Sequence, residues 1–164
     1  MKGIKLRFSQ NRFISGGRFL FITALIIGLF ITIVKPVVAS INDDRYDGNI
    51  FVVYAGNGSL IPPVQTLEQT LARHKPAILT FYVDNSSNCK QYAIVVSQLQ
   101  EFYGRAAEII PINVDAIPNN ESFKITEPGY YYSGGVPQVV VFDQSGKVVF
   151  NEMVRSPMKI SMTN

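Results

Sequence analysis

Tryptophan is absent from this 164-residue chain, cysteine and histidine occur once each, and charged side chains make up only 16%. The lone thiol, Cys89, can neither close an internal disulfide nor supply a zinc cage. With His74 as the one histidine, the sequence argues against metal catalysis as well. A basic face is also lacking. The net charge of +3 comes from residues 1–39, which hold six basic side chains and no acid; residues 40–164 hold 9 basic and 12 acidic ones, a net −3. A mildly acidic folded part, without interleaved basic and aromatic residues, argues against nucleic-acid binding. Internal repeats and low-complexity tracts are absent too. The 47% of apolar residues is enough for one folded domain preceded by a short targeting segment.

That segment reads basic, then apolar, then small. Residues 1–18 form a positive flank. Phe19 to Val34 is a 16-residue run without a charge, long enough to span about 24 Å as a helix. Val37-Val38-Ala39 before Ser40 fits a signal-peptidase site. Residues 1–39 therefore read as a cleaved signal peptide or a retained membrane anchor through 19–34, and the two stay open. Either way, the positive-inside rule puts the domain on the face opposite the basic flank.

Residues 40–48, Ser-Ile-Asn-Asp-Asp-Arg-Tyr-Asp-Gly, read as a solvated linker. Asn49 to Tyr54 is a short apolar strand candidate, closed by the turn Ala55 to Ser59. Thr66, with Gln69 three residues on, predicts a capping box and a helix to about His74. Pro76 to Val83 is nearly continuously apolar, as a strand buried on both faces would be. Cys89 to Tyr103 carries Tyr92, Val95, Val96, Leu99, Phe102 and Tyr103 at helical spacing and ends at Gly104. Glu108 to Val114 is the next strand, and a helix between two strands implies parallel pairing. An irregular stretch of about twenty residues follows, from Asp115 to Gly135, long enough to suggest a surface role. Val136 to Phe142, the turn Asp143 to Gly146 and Lys147 to Phe150 form a hairpin. The order is that of an α/β domain with a mixed sheet.

The strand leading into a helix that opens on Cys89-Lys90, the later Val136-Pro137 and the closing hairpin resemble the thioredoxin fold over residues 49–151. Phe81 to Lys90 matches the stretch that holds the family's Cys-x-x-Cys. Gly135-Val136-Pro137-Gln138 matches its cis-proline motif. The resemblance implies a three-layer thioredoxin-like fold with a mixed sheet, whose usual C-terminal helix is not recognisable in the irregular tail 152–164. It also implies a cis peptide at Pro137. Ser86 stands where the nucleophilic cysteine would be, Cys89 where the resolving cysteine would be, and Thr80 where a buried aspartate carries protons. A serine cannot form a mixed disulfide, so dithiol catalysis is expected to be lost while the scaffold survives.

Residues 43–51, 54–60, 87–93 and 127–132 are similar to a thioredoxin-like family of oxygenic phototrophs described as thylakoid membrane photosystem I accumulation factors. That resemblance implies a non-enzymatic factor for making or accumulating photosystem I at the thylakoid membrane, and the basic flank then puts its domain on the lumenal side. Its partners would be photosystem I subunits or other assembly proteins, and it needs no cofactor or metal. A client segment would lie in a groove at Ser86, Cys89, Val136 and Pro137, with Tyr130, Tyr131 and Tyr132 as a further partner surface. The alternatives are a monothiol oxidoreductase acting through Cys89 and a purely structural membrane-tethered subunit.

Overall fold

The structure, a computed structural model, describes residues 17, 20–28 and 39–154. The chain divides into two compact units, 1–38 and 39–164. In the first, residues 20–28 form helix α1. Among the described residues no helix is long and apolar enough to cross a membrane. Most of the basic flank, part of the 19–34 run and the tail beyond Val154 lie outside the described residues.

The second unit is built on a four-stranded sheet in the order β2-β1-β3-β4, with β1 at Ala77–Tyr82, β2 at Glu108–Asn113, β3 at Gln138–Phe142 and β4 at Val148–Met153. β1 runs parallel to β2 and antiparallel to β3, and β3 pairs antiparallel with β4. The apolar run of β1 sits in the middle, buried at every position but Ile78. Pro111 falls on the edge strand β2, where a missing N–H leaves no ladder partner unsatisfied. Asp143 closes the β3–β4 turn, its Oδ1 accepting from the backbone N–H of Ser145 and of Lys147, and Gly146 supplies the positive φ of +79°.

Helices cover both faces. One core joins Ile50, Phe51, Leu60, Tyr82, Cys89, Ala93, Val96 and Ile109, beneath α2 (Ile50–Val53) and α4 (Ser87–Tyr103). The other joins Leu67, Ala77, Leu79, Phe81, Ile110, Val140 and Phe142, beneath α3 (Leu67–Ala72) and the loop that leads into β3. The expected capping box opens α3: Thr66 Oγ1 accepts from Gln69 N–H at 3.2 Å, and Gln69 Oε1 from Thr66 N–H at 3.0 Å.

Two expectations are corrected. Asn49 to Tyr54 is not a strand. Asn49 accepts from Phe51 N–H at 3.1 Å, and Asp84, 34 residues away, accepts from Ile50 N–H at 2.9 Å. These two caps and the burial of Ile50 and Phe51 outweigh the β preference of a β-branched segment, and a four-residue helix results. Nor is 40–48 a solvated linker. It docks on α4 as a strap, through contacts described below.

Candidate functional site

α4 leaves the C-terminal end of β1, and its first turn carries the matched residues. Ser86 is the N-cap; its hydroxyl accepts from Cys89 N–H at 3.4 Å. The hydroxyl that replaces a nucleophilic thiol therefore terminates a helix. Cys89 points into the first core and is 1% exposed. Burial pushes its thiol above the ordinary range, against the lowering that a helix N-terminus gives an open cysteine. Val136 packs on both cores, the one holding Cys89 included, and the Val136–Pro137 peptide is cis, as the resemblance implied.

Thr80 is buried on β1. Its neighbours alternate: Leu79 and Phe81 join the second core, Ile78 and Tyr82 the first, so Thr80 faces the Cys89 side. Its hydroxyl finds no partner among the described residues. A threonine cannot hold or release a proton at neutral pH, so the proton-carrying position is chemically silent. Thr80→Val should therefore leave function intact and raise stability by up to about 1–2 kcal/mol, since it removes a buried unpaired hydroxyl without changing shape. Chemical denaturation checks this; a destabilised or inactive variant would argue for a role of the hydroxyl.

The three tyrosines do not form one exposed patch, which corrects the expectation of a shared partner surface. Tyr131 stands edge-on to Phe142 at 4.8 Å and donates its hydroxyl to Ile125 O at 2.7 Å, and Tyr132 leans on Phe81 at 5.5 Å. Only Tyr130, 55% exposed, faces solvent broadly. Gln138, fully buried after the cis proline, ties this loop to the sheet: its amide donates to Tyr131 O at 2.7 Å and Asn151 Oδ1 at 2.8 Å and accepts from Ser133 N–H at 2.9 Å.

Sequence reasoning missed two features. The first is Lys90, whose side chain is completely buried. Its ammonium donates to Asp47 Oδ2 at 2.9 Å, to Ser40 O and Asp43 O at 3.0 Å each and to Asp43 Oδ1 at 3.3 Å, and it lies 5.0 Å from the ring centre of Tyr54. Tyr54 in turn donates to Asp47. Burial disfavours the lysine's charge, but the bonds to Asp47, Tyr54 and Asp43 outweigh it and raise the pKa. Asp44, also on the strap, accepts from Ser87 N–H at 2.7 Å at the start of α4.

The second is an apolar cavity of about 440 Å³ beside β2. Ile61 to Pro63, Pro111, Ile117, Phe123 and Pro128 are among its walls, and none of Ser86, Cys89, Val136 or Pro137 lines it. This cavity is thus separate from the groove that the resemblance suggested.

The strap carboxylates set the acid limit of the fold. Asp43, bonded to Arg45, is held down at about 2; the Ser87 N–H lowers Asp44, and the Tyr54 hydroxyl and Lys90 lower Asp47. A depressed carboxylate adds stability that is fully present above its ordinary value of 3.8 and lost as pH falls through the folded value. The raised Lys90 adds stability that is fully present below 10.5 and lost only as pH rises further, through its folded value. Asp84, raised by burial, works the other way and offsets part of the acid loss. The melting temperature should be flat from about pH 5 to about pH 8, fall between about pH 4 and pH 2, and fall again above about pH 9, where the unfolded chain ionises the thiol that the fold keeps neutral. Thermal scans test this; a fall within pH 5–8 would contradict it.

A mixed sheet in the order β2-β1-β3-β4, a helix that leaves β1 at the altered cysteine motif and a cis proline before β3 define a thioredoxin-like fold whose dithiol site is dismantled. No family model matches the chain. It is 60% identical over 114 residues to the Synechocystis protein called "Thylakoid membrane protein slr1796", an alignment that takes in 70% of this chain and 57% of that protein. It is 26% identical over 98 residues to the Synechocystis "Thiol:disulfide interchange protein TxlA homolog", taking in 60% of this chain and 52% of that one. The chain thus spans little more than half the length of these curated relatives. Among solved structures it matches a DsbH oxidoreductase at 16% identity and a TM-score of 0.32, over 57% of this chain and 73% of that chain.

Proposed function

We propose that the protein is a thylakoid-associated, thioredoxin-like factor that supports the biogenesis or accumulation of photosystem I by binding a client protein, without thiol chemistry. The observation that carries the non-redox part is the state of the motif: a serine used as a helix cap and a single thiol 1% exposed with its pKa raised by burial. The monothiol alternative needs an accessible thiolate, and both facts oppose it. The thylakoid location is supported by the name of the 60%-identical relative, and the lumenal side by the basic flank before the apolar run. The photosystem I role rests on the resemblance of residues 43–51, 54–60, 87–93 and 127–132.

Binding falls to the cavity beside β2. Its size lies in the range of ligand and side-chain pockets, and its walls are mostly apolar. Proline contributes no N–H, so an occupant held here is held by apolar contact rather than by main-chain bonds to Pro111.

In a deletion strain, photosystem I content should fall relative to photosystem II, and the wild-type chain should restore it. Ala116→Trp should not restore it. Ala116 is exposed at the cavity wall, so the ring fills the space with a change in stability within about 0.5 kcal/mol. Unchanged photosystem I in the deletion strain would remove the photosystem I role; full rescue by Ala116→Trp would remove the cavity.

A further inference from the structure

The cavity beside β2 has stiff walls. Pro62, Pro63, Pro111, Pro118 and Pro128 line it, as does Phe123. Proline fixes its own φ, so such walls are set before anything binds, and little ordering remains to oppose binding. These side chains offer apolar contact and no donor.

The mouth carries charge of one sign. Glu127 is a wall residue; one of its carboxylate oxygens accepts from the backbone N–H of Lys124 at 2.7 Å, and the other has no partner among the described residues. Asn113, also in the wall, is held by two aspartates: its amide donates to Asp84 Oδ2 at 2.9 Å, and its Oδ1 accepts from Asp115 N–H at 2.9 Å. Among the described residues the ion pairs are those of Arg45, Lys75 and Lys90, and none of them reaches Asp84, Asp115 or Glu127. Residues 113–130 hold three acids against a single base, Lys124. Three carboxylates at or beside the wall are thus left without a cation, so an anionic occupant is repelled and a cationic one drawn in.

We infer that the client segment entering this cavity carries one or two large apolar side chains flanked by lysine or arginine. The apolar group fills the space between the prolines, and the basic groups meet the carboxylates of Glu127, Asp84 and Asp115. The inference rests on the cavity as the client site, proposed above, and adds what that site selects.

The test uses the purified full chain. It contains no tryptophan, so the emission of a tryptophan-bearing peptide reads binding alone. Three probe peptides share a Trp-Leu centre and carry Lys, Ser or Glu on both sides of it. At low salt the Lys peptide should bind about ten-fold or more tighter than the Glu peptide, and the gap should close to about two-fold near 1 M salt, where the screening length is about 3 Å. Glu127→Gln keeps an acceptor for Lys124 N–H; it should weaken the Lys peptide about two- to five-fold and leave the Ser peptide unchanged. Ala116→Phe fills the cavity without adding an indole and should abolish binding of all three. Equal binding of the three peptides, blocked by Ala116→Phe, would overturn the inference and leave the cavity standing as the client site. Tighter binding of the neutral apolar probe N-phenylnaphthylamine than of the Lys peptide would mean a lipid-like occupant, and a dimer that Ala116→Phe separates would mean a second copy; either overturns the inference. A Lys preference that survives Ala116→Phe, or no binding of any peptide, would overturn it together with the reading it rests on.

Discussion

Lys90→Met lowers the melting temperature of the chain by roughly 10 °C or more, the largest loss expected from any single charge. The reason is asymmetric. Lys90 is completely buried, and its removal leaves the carbonyl of Asp43 without a donor and leaves Asp47, itself nearly buried, and the carbonyl of Ser40 to share the one hydroxyl of Tyr54. The strap must then either stay and hold unpaired oxygens or leave and give up its packing. Asp47→Asn in the Lys90→Met background should cost much less than Asp47→Asn alone, since the charge it removes no longer has a partner. Thermal unfolding of the four proteins of that cycle checks it, and additive losses would mean that the pair is not coupled.

Cys89→Ser is expected to cost about 1–3 kcal/mol, because a smaller and more polar hydroxyl replaces a thiol packed among apolar side chains. Cys89→Ala should cost about 1 kcal/mol, the loss of one buried group. Neither should abolish function. The order matters more than the sizes: a thiol that serves packing is replaced better by alanine than by serine, whereas a thiol that serves chemistry is replaced by neither. Denaturant unfolding and complementation of the deletion strain read the two sides of this prediction.

Much of the scaffold was legible in the sequence because its signals are local. The unbroken apolar run of β1, the three-and-four spacing of α4 and the Thr66–Gln69 capping box each lie within a few residues, and the structure has all three. The cis peptide at Pro137 followed from the resemblance. What was illegible depends on partners far apart in the chain. α2 reads as a strand until Asp84 caps it from 34 residues away. The strap reads as a linker until Lys90 binds it across separations of 43 to 50 residues. Three aspartates in 43–47, and a lysine that the amphipathic pattern puts beside the buried Cys89, were the available signals, but composition alone makes such a run look solvated. The site was half legible. Ser86, Cys89 and Thr80 stand out in the sequence as departures from the resemblance, and the length of 115–135 pointed to a surface role. Which groups line a cavity depends on how that loop folds against Ile61 to Pro63, and no periodicity reports it.

Packing by itself accounts for a cysteine at position 89. Cys89 is small, apolar enough for a dry core and placed where a helix start meets Tyr82 and Val136.

The most direct test is the state of Cys89 in the living cell. Thylakoids from acid-quenched cells are alkylated at once, and the protein is followed on a non-reducing gel with intact-mass analysis. The expected result is a single species that carries a free thiol, unlinked to any other protein, in light and in darkness. A partner joined to Cys89 through a bond that a reductant breaks would contradict the reading of a thioredoxin-like scaffold that binds without thiol chemistry.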